Sequence, residues 1–199
     1  MYGRWLAATA VVYAVVHHLG LLPSGLGPAV HGTRVADWLD LAVPWLVLLP
    51  AALTLQAAQV APRVWWTFGA GAVAYASGHG MHLAANSVGN VDPGPTAHLW
   101  DEVVGHYVWY AGAAGVLAAL AMSMVGRPRP SILGYLLAIA VGLTWASNAV
   151  GGGTELFSLA VAAVAAGWGW TQRHHLGVVL LVGFGPAIGW LVGSLVGTG

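Results

Sequence analysis

The chain has 199 residues with six arginines, no lysine, six acids, no cysteine and zero net charge. It is 58% hydrophobic and 6% charged, with a mean hydropathy of +0.77, which excludes a soluble domain and places it in lipid. There is no basic run for nucleic acid, no thiol for disulfides or thiolate metal sites, and no lysine for a retinal Schiff base.

A bilayer span takes about 20 apolar residues, and lipid leaves backbone groups no water to bond, so spans are helices or closed barrels. The long runs lack strand alternation, so helices are expected. Taken in chain order, the spans are predicted near 5–22, 37–60, 64–88, 97–125, 131–150, 154–172 and 176–198. They are separated by Pro23-Ser24-Gly25, Ala61-Pro62-Arg63, Asp92-Pro93-Gly94-Pro95, Arg127-Pro128-Arg129-Pro130, Gly151-Gly152-Gly153 and Gln172-Arg173, each a breaker or turn former. The first run is read as a span rather than a cleaved signal peptide, because it is long and no small-residue cleavage site follows. Three glycines make a thin loop, so residues 131–172 are either two spans or one broken helix. The expected architecture is all-α, a single transmembrane domain over residues 1–199: a polytopic integral membrane bundle of about seven transmembrane helices.

Arg4, Arg63, Arg127, Arg129 and Arg173 fall on one side of this arrangement and Arg34 alone on the other. The positive-inside rule then predicts the N-terminus in and the C-terminus out, in the cell membrane. Seven of the nine histidines and all six acids fall in the outer half.

Two segments concentrate the chemistry. On the third span His79, His82 and Asn86 share one helix face at 100° per residue. On the fourth, His98, Glu102 and His106 repeat every four residues, with Asp101 one step round. The spans are joined by a short connection, so their polar faces meet near the outer surface. Imidazole and carboxylate donors on facing helices suit a metal site, and a nitrogen–oxygen set suits zinc, iron, manganese or copper. The expected ligands are His79, His82, His98, Glu102 and His106, supported by Asn86 and His17. Glu102 or Asp101 is the expected general base. Ionisable residues inside a membrane chain mark function.

The segment from Ser77 to Tyr107 resembles the superfamily of seven-helix membrane hydrolases that includes the alkaline ceramidases and the progestin–adipoQ receptors. Those proteins carry a serine, a histidine near a helix end and an aspartate, and bind zinc. The resemblance covers roughly a sixth of the chain and implies Ser77, His82 and Asp101 as the counterparts. The family's histidine pair in the last span has no counterpart in residues 176–199, which leaves His79, His98 or His106 to complete ligation.

These observations lead to an integral-membrane metalloenzyme, with zinc the expected divalent metal and a lipid amide or ester the expected substrate. An iron or copper oxidoreductase acting on a lipid or terpenoid is the alternative enzyme. A metal-binding transporter or sensor, or a structural membrane protein, is the alternative outside catalysis. The expected partner is a membrane lipid or another apolar small molecule. Gly185, Gly189, Gly193 and Gly197 form a stripe at spacing four on the last span, expected to pack within the bundle or in a homo-oligomer.

Overall fold

The computed structural model describes residues 1–18, 27, 29–172 and 174–197. The break at Pro23-Ser24-Gly25 and the inner-side Arg173 lie outside the described residues. The fold is all-α. Helix α1 spans Tyr2–Val16, α2 Val35–Asp40, α3 Val43–Ala58, α4 Pro62–Gly89 and α5 Pro95–His98. A π-helical turn, Leu99–Gly105, leads into α6, His106–Met124, followed by α7 Ile132–Gly151, α8 Glu155–Thr171 and α9 His175–Gly197. With α2 joined to α3 and α5 to α6, these make seven helical segments running up and down.

Local chemistry sets the boundaries. Pro62 opens α4 and Pro95 opens α5, where a missing N–H costs no helical hydrogen bond. Arg34 caps α2: its N–H donates to Asp37 Oδ2 at 2.7 Å, and its guanidinium closes a 2.6 Å pair with Asp37 Oδ1. That carboxylate raises the Arg34 pKa. Ser131 accepts from the Gly134 N–H and starts α7. Gly153, at φ +63°, turns the chain between α7 and α8, so residues 131–172 form two helices rather than one broken one.

Four segments are long and apolar enough to cross a bilayer: Val35–Ala58, Pro95–Met124, Ile132–Gly151 and His175–Gly197. They mark the chain as an integral membrane protein. The other three of the seven helical segments fall below that length or hydropathy. Helix α1 has 15 residues and α8 has 17, both short of the 20 or so needed to span. Helix α4 has 28 residues, long enough, but its serines, histidines and asparagine dilute its hydropathy.

The tightest pairing is α4 on α6, while α9 packs on α7 and α8, and α1 on α3 and α7. The α4–α6 seam is made of glycine at spacing seven: Gly71 and Gly78 face Gly105 and Gly112. A methyl group at Gly71 would lie 2.8 Å from Val116 N, and one at Gly105 2.9 Å from His82 N. At Gly78 it would collide with the Trp109 backbone, and at Gly112 with the Tyr75 backbone. Small residues let membrane helices approach to backbone contact in this way.

Of the two places where the α9 stripe was expected to pack, within the bundle or in a homo-oligomer, the bundle is not one. Added methyl groups at Gly185, Gly189, Gly193 and Gly197 would meet nothing within 4 Å. The glycines of α9 that do pack are Gly177, against Gly169, and Gly183, against Ala138. Spacing four identified a smooth face, but the bundle turns another face of α9 inward.

The two ends of the bundle differ in charge. At one end Arg127 donates to the Ala58 carbonyl at 2.6 Å, and its guanidinium lies 4.9 Å from the Tyr2 ring centroid. Arg4, Arg63 and Arg129 join it there by helix direction. The acids and most histidines occupy the opposite end.

Candidate functional site

Close approach of α4 and α6 builds the site. Gly78 lets α4 meet the backbone of Trp109, which sets the neighbouring His79 4.6 Å from the Trp109 ring, centroid to centroid. Gly105 brings the π-helical turn against the His82 backbone, and the His82 and His106 rings lie 4.4 Å apart. Trp109 stands among four histidines, 5.6 Å from His82, 5.8 Å from His106 and 5.9 Å from His17. His79 is fully buried and His106 nearly so.

Each central imidazole faces one carboxylate. His82 Nδ1 lies 2.6 Å from Asp101 Oδ1, His106 Nδ1 3.4 Å from Glu102 Oε2, and His79 Nε2 3.6 Å from Asp40 Oδ1. None of the three is a well-formed hydrogen bond. The last is too long, and in the closest pair the oxygen lies off the axis along which the ring nitrogen directs a proton. Five buried side-chain atoms therefore lack a well-aligned hydrogen bond among the described residues: Nδ1 and Nε2 of His79, Nδ1 of His82, Oδ1 of Asp101, and Nδ1 of His106, which has the Glu102 and Gly152 backbones beside it. All five belong to this cluster. Buried polar atoms are nearly always satisfied, so such a concentration calls for an explanation.

Charge sharpens the point. Three carboxylates face the imidazoles, and the one arginine close by among the described residues, Arg34, is paired with Asp37 and acts on Asp40 only through space. Asp40 and Asp101 are largely buried side chains. Burying like charges without a cation is costly. Among the described residues, no three His, Asp or Glu side chains are arranged around one point as ligands of an ion; the donors stand in pairs.

Among the expected site residues, His79, His82, Asp101, Glu102 and His106 come together. His17 joins at the edge. Its Nδ1 is 3.0 Å from the Tyr13 carbonyl, which can only accept, so Nδ1 carries the proton. Its Nε2 then accepts from the Tyr75 hydroxyl at 2.6 Å. His98 is exposed and makes no ring contact or ion pair with the cluster among the described residues. It sits at the N-terminal end of its segment, where Pro95, Thr96, Leu99 and Trp100 are exposed as well, about two turns before the buried His106. The side chain of Asn86 makes no hydrogen bond among the described residues. Ser77 likewise has no side-chain contact with His82.

No protein-family model, curated relative or solved structure matches this chain. The site's chemistry therefore has to be read from its own atoms.

Three contributors escaped the sequence reading. Asp40 arrives from α2 to face His79. An acid count exposes it, since Arg34 can neutralise only one of Asp37 and Asp40. Trp109 is one of 11 tryptophans, and nothing in its local sequence distinguishes it. Gly152, in the α7–α8 turn, walls the site: a methyl group there would sit 3.2 Å from His106 Nδ1.

Proposed function

We propose that the chain is a metal-dependent membrane enzyme whose centre lies between α2, α4 and α6. The observation that supports this reading best is the set of five buried donor atoms without a well-aligned hydrogen bond, all in one cluster. Two ligand atoms on a tetrahedral ion at about 2.1 Å stand about 3.4 Å apart. That is close to the spacing of the His106–Glu102 and His79–Asp40 pairs. A dication would offset the carboxylate charge gathered there. Gathering three donors requires the imidazoles to turn about χ2, a broad torsion.

The proposed ligands are His79, His82 and His106 with a carboxylate, and zinc is the proposed metal. Bound zinc supplies a water of lowered pKa and polarises a carbonyl. The chain's own residues divide the remaining work. Asp101 and Asp40 stand beside His82 and His79, where they would orient those rings once a metal is held. Glu102 has a side chain 44% exposed, against 14% for Asp101, so it is the carboxylate that a substrate can reach. Glu102 is thus the proposed general base, and a lipid amide or ester the proposed substrate class.

The seven helical segments cross the cell membrane in this reading, with the arginine end in, the histidine end out and the C-terminus outside. The open glycine stripe of α9 leaves a face for a second copy. Reporter fusions in the Arg127–Pro130 loop and after Gly197 are expected on opposite sides of the membrane. The same side for both overturns the seven-crossing topology.

The deciding measurement is elemental analysis of the purified full chain. One or two equivalents of zinc are expected. Iron or copper instead moves the reaction to oxidation of a lipid or terpenoid. A folded protein that holds no metal, and takes up none when titrated with zinc, overturns the proposal and leaves a hydrogen-bonding and packing network.

A further inference from the structure

A second feature lies away from the histidine cluster, an apolar cavity. It lies at the arginine end, between α1, α6, α7 and α9, with a volume of about 470 Å³. That is within the range of small-molecule sites. Its walls are Leu6 and Ala10 of α1, Leu117 and Leu120 of α6, and apolar residues of α7 and α9. It runs beside α1 from Tyr2 to Tyr13, about 16 Å at 1.5 Å per residue. The closed end is bounded by Tyr13 and Tyr75. Beyond them lies His17, the first residue of the cluster.

The mouth carries charge of one sign. Arg127, Arg129 and His175 border it, and no Asp or Glu lines the cavity. Arg127 is engaged with Ala58 and Tyr2. Arg129 is exposed and makes no hydrogen bond or ion pair among the described residues. The positive-inside rule accounts for arginine at this end, but not for an apolar recess opening beneath it. A deep apolar slot under unneutralised cations matches one ligand chemistry, a hydrocarbon chain with an acidic head.

We infer that this cavity binds a long-chain anionic amphiphile, its chain between α1, α6, α7 and α9 and its head at Arg129 and His175. The site is separate from the metal centre and does not depend on it. The Tyr13–Tyr75 wall sets the far end of the chain next to the histidine cluster.

The test is native mass spectrometry of the full chain in a neutral detergent, with phosphatidylglycerol and phosphatidylcholine of identical acyl chains. One phosphatidylglycerol is expected to stay bound, at least about tenfold tighter than phosphatidylcholine. Arg129→Gln is expected to weaken phosphatidylglycerol about fivefold and leave phosphatidylcholine unchanged. Ala10→Phe, which fills the slot, is expected to abolish retention of both. Leu117→Trp, on the facing helix, repeats the test should Ala10→Phe not fold. Inorganic phosphate is expected not to displace the lipid, and displacement would reduce the site to an anion subsite with no place for the chain. Equal retention of the two lipids, or undiminished retention by folded Ala10→Phe and Leu117→Trp, overturns the inference in favour of ordinary annular lipid. Metal content of the same samples is expected to be unaltered, so a failed lipid site and a failed metal centre give different results.

Discussion

Gly78→Ala is expected to destabilise the protein by about 3 kcal/mol, the upper range for overpacking, and to disrupt the site with it. The added methyl group meets the backbone of Trp109, not the end of a flexible side chain. Backbone cannot step aside, so α4 and α6 must move apart along the whole seam. The melting midpoint in detergent should fall by roughly 10 °C. His79 and His82 are carried on α4 and His106 on α6, so separation also widens the gap between their rings. Gly80→Ala is the matched control. It lies two residues on, in the same helix, and its added methyl group meets nothing within 4 Å. There alanine's higher helix propensity leaves stability unchanged or raised by up to about 1 kcal/mol. Equal melting of the two variants would falsify the close α4–α6 crossing.

This contrast also shows where sequence reading reached its limit. Gly78 and Gly80 flank the same residue, His79, and nothing in their spacing shows that a partner backbone meets one and not the other. The same holds for glycine on α9, where the regular stripe at spacing four faces outward and the irregular pair Gly177 and Gly183 packs. Long apolar runs and Pro or Gly breakers are local properties, so seven helical segments could be placed within a few residues. Whether each is long and apolar enough to span depends on how the polar site is distributed, and α4 carries most of it. The cluster itself was legible because histidine and acid are rare in this chain and stand out by contrast. Its members across the chain were less so: Asp40 and Gly152 reach the site from remote segments, and no spacing rule links them to His79 or His106. His98 stands apart for a different reason. Spacing of four reports a shared face but not depth, and His98 lies in the exposed stretch that opens its segment.

Single substitutions in the cluster should then separate a metal centre from a packing network. His82→Ala and His106→Ala are each expected to lower zinc affinity by more than about 100-fold, beyond the roughly 10–100-fold typical of residues that only support a ligand. Asp40→Asn keeps shape but removes the charge facing His79, and belongs in that 10–100-fold range. His98→Ala is expected to leave zinc affinity unaltered, because His98 is exposed and makes no ring contact or ion pair with the cluster among the described residues, and His174→Ala at the arginine end serves as a second control. Stability gives the independent axis. In a packing network, removing the His82 ring leaves Asp101 without its neighbour and lowers the melting midpoint, yet no metal is lost because none was held. In a metal centre, the midpoint of the unsubstituted protein rises with added zinc by mass action, and that rise disappears in His82→Ala and His106→Ala. A zinc-dependent rise that survives both substitutions places the ion elsewhere. No rise in the unsubstituted protein, with His82→Ala still destabilised, assigns the three imidazole–carboxylate pairs to structure alone.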